Sequence, residues 1–506
     1  MKKKTSLLTL AISGAVLFGA YHHQQVPNSI GSAVEAKPLP IISQPIHPHL
    51  AEAQRSSMHG GSYNRDLSHY PGPLGKNTQS LHRSFSPIVG VAPNIAFDRK
   101  GRLITVSIKL TGIELHLLDS ETLETLAMIE LPEKASFDDN SGGGYFHIDD
   151  QDRVILAPAN NTISIYEIAE SGGDNENPQW VLNQAIDLKD TLPSDSNIHD
   201  VIPDWDGNLW FVTQTGLLGY YNQTEKTFFT HQLSNQEEGI QNSFGVAEDG
   251  IYVVSTHALY RFEINENDGS IQWTWREHYQ RGEQQKPGTL SHGSGTSPTL
   301  IEDDLIAIAD DGHPQTNVVV YRRHDTIDSD GDGDGDGDGD GDGDGDRMVC
   351  EVPLFQPHHS ATENSLMVYG NAIVVQNDYG HIYEGNALET SPGVMRIDVR
   401  PDRSGCDVIW SNDTLISQSL PRLSTATGLL YFYTFKKQNT DNFWGGWYLT
   451  AVNFETGEEV FDRLIGRGTG TMIDSLSSVT APVVLGPNGA AYAGIRTGVV
   501  MSRDKD

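Results

Sequence analysis

From about residue 88 the chain is written in short runs of β-branched and aromatic residues broken by Gly, Asp and Asn, with no sustained helical period. "NIAFDRKGRLITVS", "YFHIDDQDRVILAP", "VIPDWDGNLWFVT", "SFGVAEDGIYVVS", "SPTLIEDDLIAIAD", "SLMVYGNAIVVQN", "RLSTATGLLYFYT" and "PVVLGPNGAAYAG" share one grammar: apolar run, tight turn, apolar run. Each predicts a β-hairpin, because Gly and Asn tolerate the positive φ of a short hairpin loop. The hairpin recurs eight times, at spacings of about 40 to 65 residues.

A second pattern follows most of these hairpins. "ELHLLDSETLETL", "LYRFEINENDGSIQW", "VMRIDVRPDRSGCDVIW" and "LTAVNFETGEEVF" each read as strand, acidic or Gly turn, strand. Two hairpins make a four-stranded unit, and self-similar four-stranded units predict an all-β chain folded as a single β-propeller. Eight blades are expected, with seven as the alternative. The last unit is short, and a strand from residues 40–85 can complete it.

The repeat L-x-A-x-x-x-x-T-G-x-x-x-(W/F), seen from Leu449 to Phe461, resembles that of the PQQ-like (quinoprotein-type) propellers common among exported bacterial proteins. The resemblance covers most of residues 88–504 and bears on fold more than on activity. In propellers generally, strands run a to d from the axis outward. The a–b and c–d turns share one face, and the b–c and d–a connections form the other, where binding funnels lie.

The segment before the repeats changes the picture only at its start. "MKKKTSLLTLAISGAVLFGA" has a basic opening followed by an apolar stretch too short for a comfortable membrane span, and residues 1–21 read as an export signal. Residues 22–87, rich in Pro, Ser, His and Gln and without period, read as a linker and then a segment laid over the domain surface. The propeller then occupies residues 88–506. Two cysteines, Cys350 and Cys406, are expected to form a disulfide in an exported chain.

Hydrophobic residues make up 37% of the chain, enough for a real core, and the formal net charge is −34. That charge argues against nucleic acid and anionic membrane surfaces as partners. No transmembrane span is expected beyond the signal, and the protein is expected to be a monomer in the periplasm or outside the cell. Its ligand is a small molecule or a protein that the sequence does not name.

About −9 of the charge belongs to "DSDGDGDGDGDGDGDGDGDR", residues 328–347. Between "NVVVYRR" and "RMVCEVPLF" this run occupies a c–d turn, and residues 328–346 read as a disordered low-complexity insert on the face away from the funnel. A calcium loop of the EF-hand type needs a carboxylate at its twelfth position. Wherever a twelve-residue loop with Asp at positions 1, 3 and 5 fits inside the run, that position is Gly or Arg347.

Candidate chemistry gathers on the opposite face. Blade five offers His292, Ser294, Thr296, Asp310, Asp311, His313 and Asn317. Blade six offers Glu363, Asn364, Asn377, Asp378, Tyr379, His381 and Glu384. His199, Asp200 and Asn242 come from blades three and four, and Trp444 and Trp447 from blade seven. The ligand-binding candidates are His292, Asp310, Asn317, Glu363, Asn364, Asp378 and Tyr379. Carboxylates beside Asn amides suit a hard cation such as calcium, which makes Asp310, Glu363 and Asp378 the metal candidates.

The expected role is that of a binding or scaffold protein. The alternative is a calcium-dependent enzyme: a quinoprotein-like oxidoreductase first, then a gluconolactonase-like hydrolase in which calcium polarises an ester carbonyl. The chain lacks both the adjacent-cysteine pair of many quinoprotein dehydrogenases and a C-x-x-C-H haem motif, which argues against PQQ as its cofactor. Trp205, Trp210, Trp273, Trp275 and Trp410 are expected to pack between blades.

Overall fold

A computed structural model describes residues 29–505 except 133–141, 171–176, 194–195, 234–237, 325–346, 382–388, 418, 439–443, 472 and 479–480. The export signal, the Asp-Gly run and Glu384 therefore lie outside the described residues.

Eight antiparallel sheets of four principal strands each form an eight-bladed β-propeller. Blade three is representative, with strands Ile198–Pro203, Leu209–Thr213, Leu217–Asn222 and Thr227–Gln232 in consecutive order. Blade eight is built from both ends of the chain: Val483–Leu485, Ala491–Ile495 and Gly498–Asp504 are joined on the outside by Thr78–Ser84. That strand pairs along its whole length with the last strand and ties the ring shut.

The core lies between blades. Ile95, Phe97, Leu103 and Leu118 of blade one pack with Val484, Tyr492 and Val499 of blade eight, and equivalent clusters fill the other interfaces. The inner strands are buried on both faces and so read as continuous apolar runs.

The turns explain the acidic punctuation. At the a–b turns of the first three blades an Asp carboxylate accepts the backbone N–H groups two and four residues on: Asp98 at 2.9 and 2.8 Å, Asp149 at 3.0 and 2.7 Å, Asp204 at 3.0 and 2.8 Å. Its second oxygen takes the side chain at the fourth position, from Arg102, Arg153 and Asn208. Much of the negative charge is thus spent on turn construction. At the c–d turn of blade seven Asn453 caps "NFETG", and Gly457 adopts φ 72°. Trp410 of blade six lies over that glycine and donates to Phe454 O at 2.9 Å, docking one blade on the next.

Trp210 and Trp275 are buried as expected, but Trp273 points outward and is 44% exposed, because a β-bulge at Thr274, between the Phe262–Trp273 and Arg261–Trp275 pairs, turns the two tryptophans to opposite faces. Trp444 is 40% exposed, while Trp447 is fully buried, stacked at 5.1 Å on Tyr433 and donating to Asp474. They wall no common pocket.

Cys350 and Cys406 form a disulfide between the outer strands of blades five and six, with Cα atoms 5.9 Å apart. Asn317–Arg322 and Met348–Pro353 are the third and fourth strands of blade five, so the Asp-Gly run connects them.

The largest departure from expectation is the N-terminal segment. Its composition points to the surface, yet residues 55–68 are buried along the axis. Ala51 donates to Ile148 O, and Ser62, Tyr63, Arg65 and Asp66 carbonyls accept from Val246, Leu300, Val368 and Leu423. His47 reaches Pro203 O at 3.0 Å, and Arg55 reaches Phe97 O and Asp152. The segment thereby touches the inner strands of blades one to seven and closes the axial channel at the turn face. The cause is physical: inner strands leave backbone N–H and C=O groups facing the axis, and a buried polar group must be paired.

Candidate functional site

With residues 47–68 pairing to the inner strands toward the turn face, the polar side chains described next gather toward the face of the d–a and b–c connections. In blades two to six, polar residues lie at the start of the inner strand or in the few positions before it. Blade two supplies Tyr145 and His147, blade three His199 and Asp200, blade four Gln241, Asn242 and Ser243, blade five Ser297, and blade six Glu363 and Asn364.

Asp200 is the hub of the first group. Its carboxylate accepts from the His147 imidazole at 3.0 Å and the Ser243 hydroxyl at 2.5 Å, linking blades two, three and four. Burial alone would raise its pKa, but His147, Ser243 and the Val201 N–H outweigh burial and hold it below the usual range. The carboxylate sits between the serine and the histidine, so the histidine is not placed to take the serine's proton.

Tyr145, half-buried, crosses toward the far blades, with the Ser243 backbone and the Ser297 hydroxyl against its phenol. Burial and the nearby Asp200 charge raise its pKa, so it is a neutral hydrogen-bonding group. Its ring lies 5.0 Å from His199, and His59 of the axial segment lies beneath at 6.1 Å. Tyr145 therefore forms a floor between the closed end and the open mouth.

Glu363 opens the second group. Its carboxylate accepts from the Gln241 amide across the axis, and its backbone N–H donates to Asp378 at 2.9 Å. Burial, with the charges of Asp378 and Asp311 adding to it, holds Glu363 well above the usual carboxylate range. Asp378 accepts also from Asn364 and Gln376 at 3.0 Å each and from Thr362 at 3.4 Å, and burial raises it to about 6. Glu363, Asn364 and Asp378 are thus brought together.

Asp310 and Asn317 form their own pair in blade five. Asp310 accepts from Asn317 N at 2.6 Å and Nδ2 at 2.7 Å and from Gly312 N at 3.0 Å, and burial raises it to about 6. The neighbouring Asp311 meets Lys286 at 3.3 Å. His292 is bound to the Gly282 carbonyl, and Tyr379 lies half-buried against His359 at 5.1 Å, its N–H donating to Asn377. Both stand beside the mouth as loop-forming residues.

A calcium site on Asp310, Glu363 and Asp378 does not fit this arrangement. Both oxygens of Asp310 and of Asp378 are already engaged by protein donors, and a cation would have to displace them. Among the described residues no group of three His, Cys, Asp or Glu is placed to hold a metal ion.

Tyr145, His147, Gln241, Ser243 and Ser297 were not singled out from sequence. Aligning the repeats on their inner strands and reading the polar residues from four positions before each strand to its second residue would have found them.

No protein-family model matches the sequence. An uncharacterized protein of Archaeoglobus fulgidus is 26% identical over 372 residues, covering 69% of this chain and 68% of that one. Among solved structures, Sqt1 of Chaetomium thermophilum aligns over 82% of this chain and 95% of its own at 9% identity, with a TM-score of 0.49. BamB from Moraxella catarrhalis covers 84% and 97% at 11% identity, TM-score 0.45. A streptogramin B lyase covers 85% and 98% at 11% identity, TM-score 0.38.

Proposed function

We propose that this chain is an exported binding protein of the PQQ-like propeller type, which takes a small polar ligand in the axial mouth above Tyr145. One observation carries the reading. The chain closes one end of its own axis with residues 47–68, while side chains from blades two to six converge at the other around a half-buried aromatic floor. Small-molecule sites are concave, largely preformed, and furnished with a few convergent polar groups. Export is supported by the Cys350–Cys406 disulfide and by the basic-then-apolar opening of the sequence. No helix among the described residues is long and apolar enough to cross a membrane. The likeness to PQQ-like repeats is supported by the T-G turn at Thr456-Gly457 and the Trp410 that docks on it. A calcium-dependent oxidoreductase or hydrolase is the weaker reading, because both oxygens of Asp310 and of Asp378 already have protein donors.

The test is equilibrium dialysis of the purified protein against a pool of small polar metabolites, with retained compounds identified by mass spectrometry. A compound retained by the native protein and lost by Tyr145→Ala, at unchanged far-ultraviolet circular dichroism, is the expected result. Retention that survives Tyr145→Ala, or no retention at all, would remove the reading.

A further inference from the structure

Beside the axial mouth, between blades four, five and six, buried acceptors outnumber donors. Gln241 Oε1, Asp311 Oδ2, Glu363 Oε2 and Gln376 Oε1 are all shielded from solvent and lack a hydrogen-bond partner. Glu363 and Asp311 are 7% and 1% exposed. The side-chain donors around them are already spent, and among backbone groups Leu290 N–H approaches Glu363 and Gly293 N–H approaches Asp311. Gln241 Nε2 serves Glu363, and Gln376 Nε2 and Asn364 Nδ2 serve Asp378. Lys286 Nζ serves Gly312 O, Thr316 Oγ1 and the other oxygen of Asp311.

A buried acceptor without a donor costs about 1–3 kcal/mol, and native proteins keep few of them. Four in one neighbourhood point to something that arrives carrying N–H groups. Amide oxygens carry no proton to give, and a protonated Glu363 carries one, enough for a single acceptor. The complementary group is therefore a multi-donor cation, as an ammonium or guanidinium is.

We propose that this cluster of acceptors binds an organic cation, a ligand with a primary ammonium or guanidinium group, seated on Glu363, Gln241, Asp311 and Gln376. The proposal rests on the axial-mouth reading and names the ligand class of that mouth. The groups that face Glu363 are Asp378 and Asp311, with Lys286 beyond Asp311 and Tyr145 from blade two. Burial first, and then the charges of Asp378 and Asp311, favour the protonated form of Glu363. The arriving cation takes the place of that proton, which leaves to the buffer, so no other reactant is needed.

The test uses the full chain and isothermal titration calorimetry with agmatine and putrescine as cationic probes, 1,4-butanediol as the uncharged control and calcium chloride as the metal control. Agmatine or putrescine is expected to bind with release of a proton, seen as a heat that changes with the ionisation enthalpy of the buffer. Affinity should weaken up to about tenfold for each pH unit lowered. Glu363→Gln keeps the size of the side chain and is expected to weaken binding at least tenfold and to abolish the buffer dependence. Gln376→Leu, which removes this acceptor together with the donor to Asp378 but leaves Glu363 in place, is expected to weaken binding while leaving the proton release in place. Calcium binding without organic-cation binding would overturn the proposal in favour of a metal. Equal binding of butanediol, or cation binding indifferent to Glu363→Gln, would overturn it as well. If dialysis finds a neutral ligand lost by Tyr145→Ala while the amines fail, the ligand class falls and the axial-mouth reading stands. If neither experiment finds a ligand, both fall.

Discussion

Asn64 offers the sharpest test of the axial segment. It is 1% exposed, holds φ 55°, and donates to Pro298 O at 3.0 Å and Phe244 O at 3.1 Å, bridging blades four and five from the axis. Asn64→Ala removes both donors. Pro298 O is left buried without this partner, at about 1–3 kcal/mol. Phe244 O retains only a 3.4 Å contact from the Ser243 hydroxyl, worth about 1 kcal/mol less than before. Alanine in a left-handed conformation adds about 1 kcal/mol that asparagine largely avoids. The expected loss is about 3 kcal/mol. Ile46→Ala, in the same segment but 91% exposed, is expected to change stability by less than about 0.5 kcal/mol. Both are read from urea unfolding followed by tryptophan fluorescence and far-ultraviolet circular dichroism, and coincidence of the two signals licenses the comparison. An Asn64→Ala protein within about 0.5 kcal/mol of the parent would show that the segment does not pin the blades together.

Reducing Cys350–Cys406, or replacing both with Ser, opens a cross-link spanning 56 residues and is expected to cost on the order of 4 kcal/mol, seen as a lower urea midpoint. Gly457→Ala places a methyl against the Trp410 ring at a positive φ and is expected to lower stability by about 2 kcal/mol or more in the same assay. Asp310 and Asp378 are held at about 6 against 3.8 for the free side chain, so between those values the native state binds protons that the unfolded chain does not. Their share of stability is present at low pH and lost as pH rises through about 6, up to on the order of 3 kcal/mol each. Asp310→Asn and Asp378→Asn are expected to flatten the rise of the urea midpoint on acidification from pH 7 to pH 5. Cutting Ser329–Gly345 down to a single Asp-Gly is expected to leave the melting temperature unchanged, because Arg322 N already donates to Arg347 O at 2.8 Å and closes the hairpin by itself.

The blades were legible because the signals that specify them are local. A hairpin needs an apolar run, a turn residue and a second run within about a dozen positions, and each Asp or Gly at a turn acts on backbone two to four residues away, as Asp98, Asp149 and Asp204 do. The axial segment was illegible for the opposite reason. Ser62, Tyr63 and Arg65 pair with backbone 184, 237 and 303 residues further along the chain, and each contact is a single hydrogen bond with no apolar period to announce it. Its Pro, Ser and His content is what a segment needs when it must meet seven strand ends in turn without becoming a strand, and the same content marks a surface linker.

The site divides along the same line. Glu363, Asn364 and Asp378 could be nominated together because they sit within sixteen residues and meet across one hairpin of blade six. Tyr145, Gln241 and Ser243 acquire their meaning only when the ring closes and brings blades two, four and six to a common axis. Asp310 shows the converse: its residue type and setting suit a metal, yet its pairing with Asn317 N and Nδ2 makes it a strand-end clamp. Whether a buried carboxylate recognises a ligand or builds a turn is decided by how many of its lone pairs the fold has already filled. By that measure Asp378 and Asp310 build, while Glu363 and Asp311 each keep an oxygen that no protein donor fills, which is why the proposed ligand is placed on them.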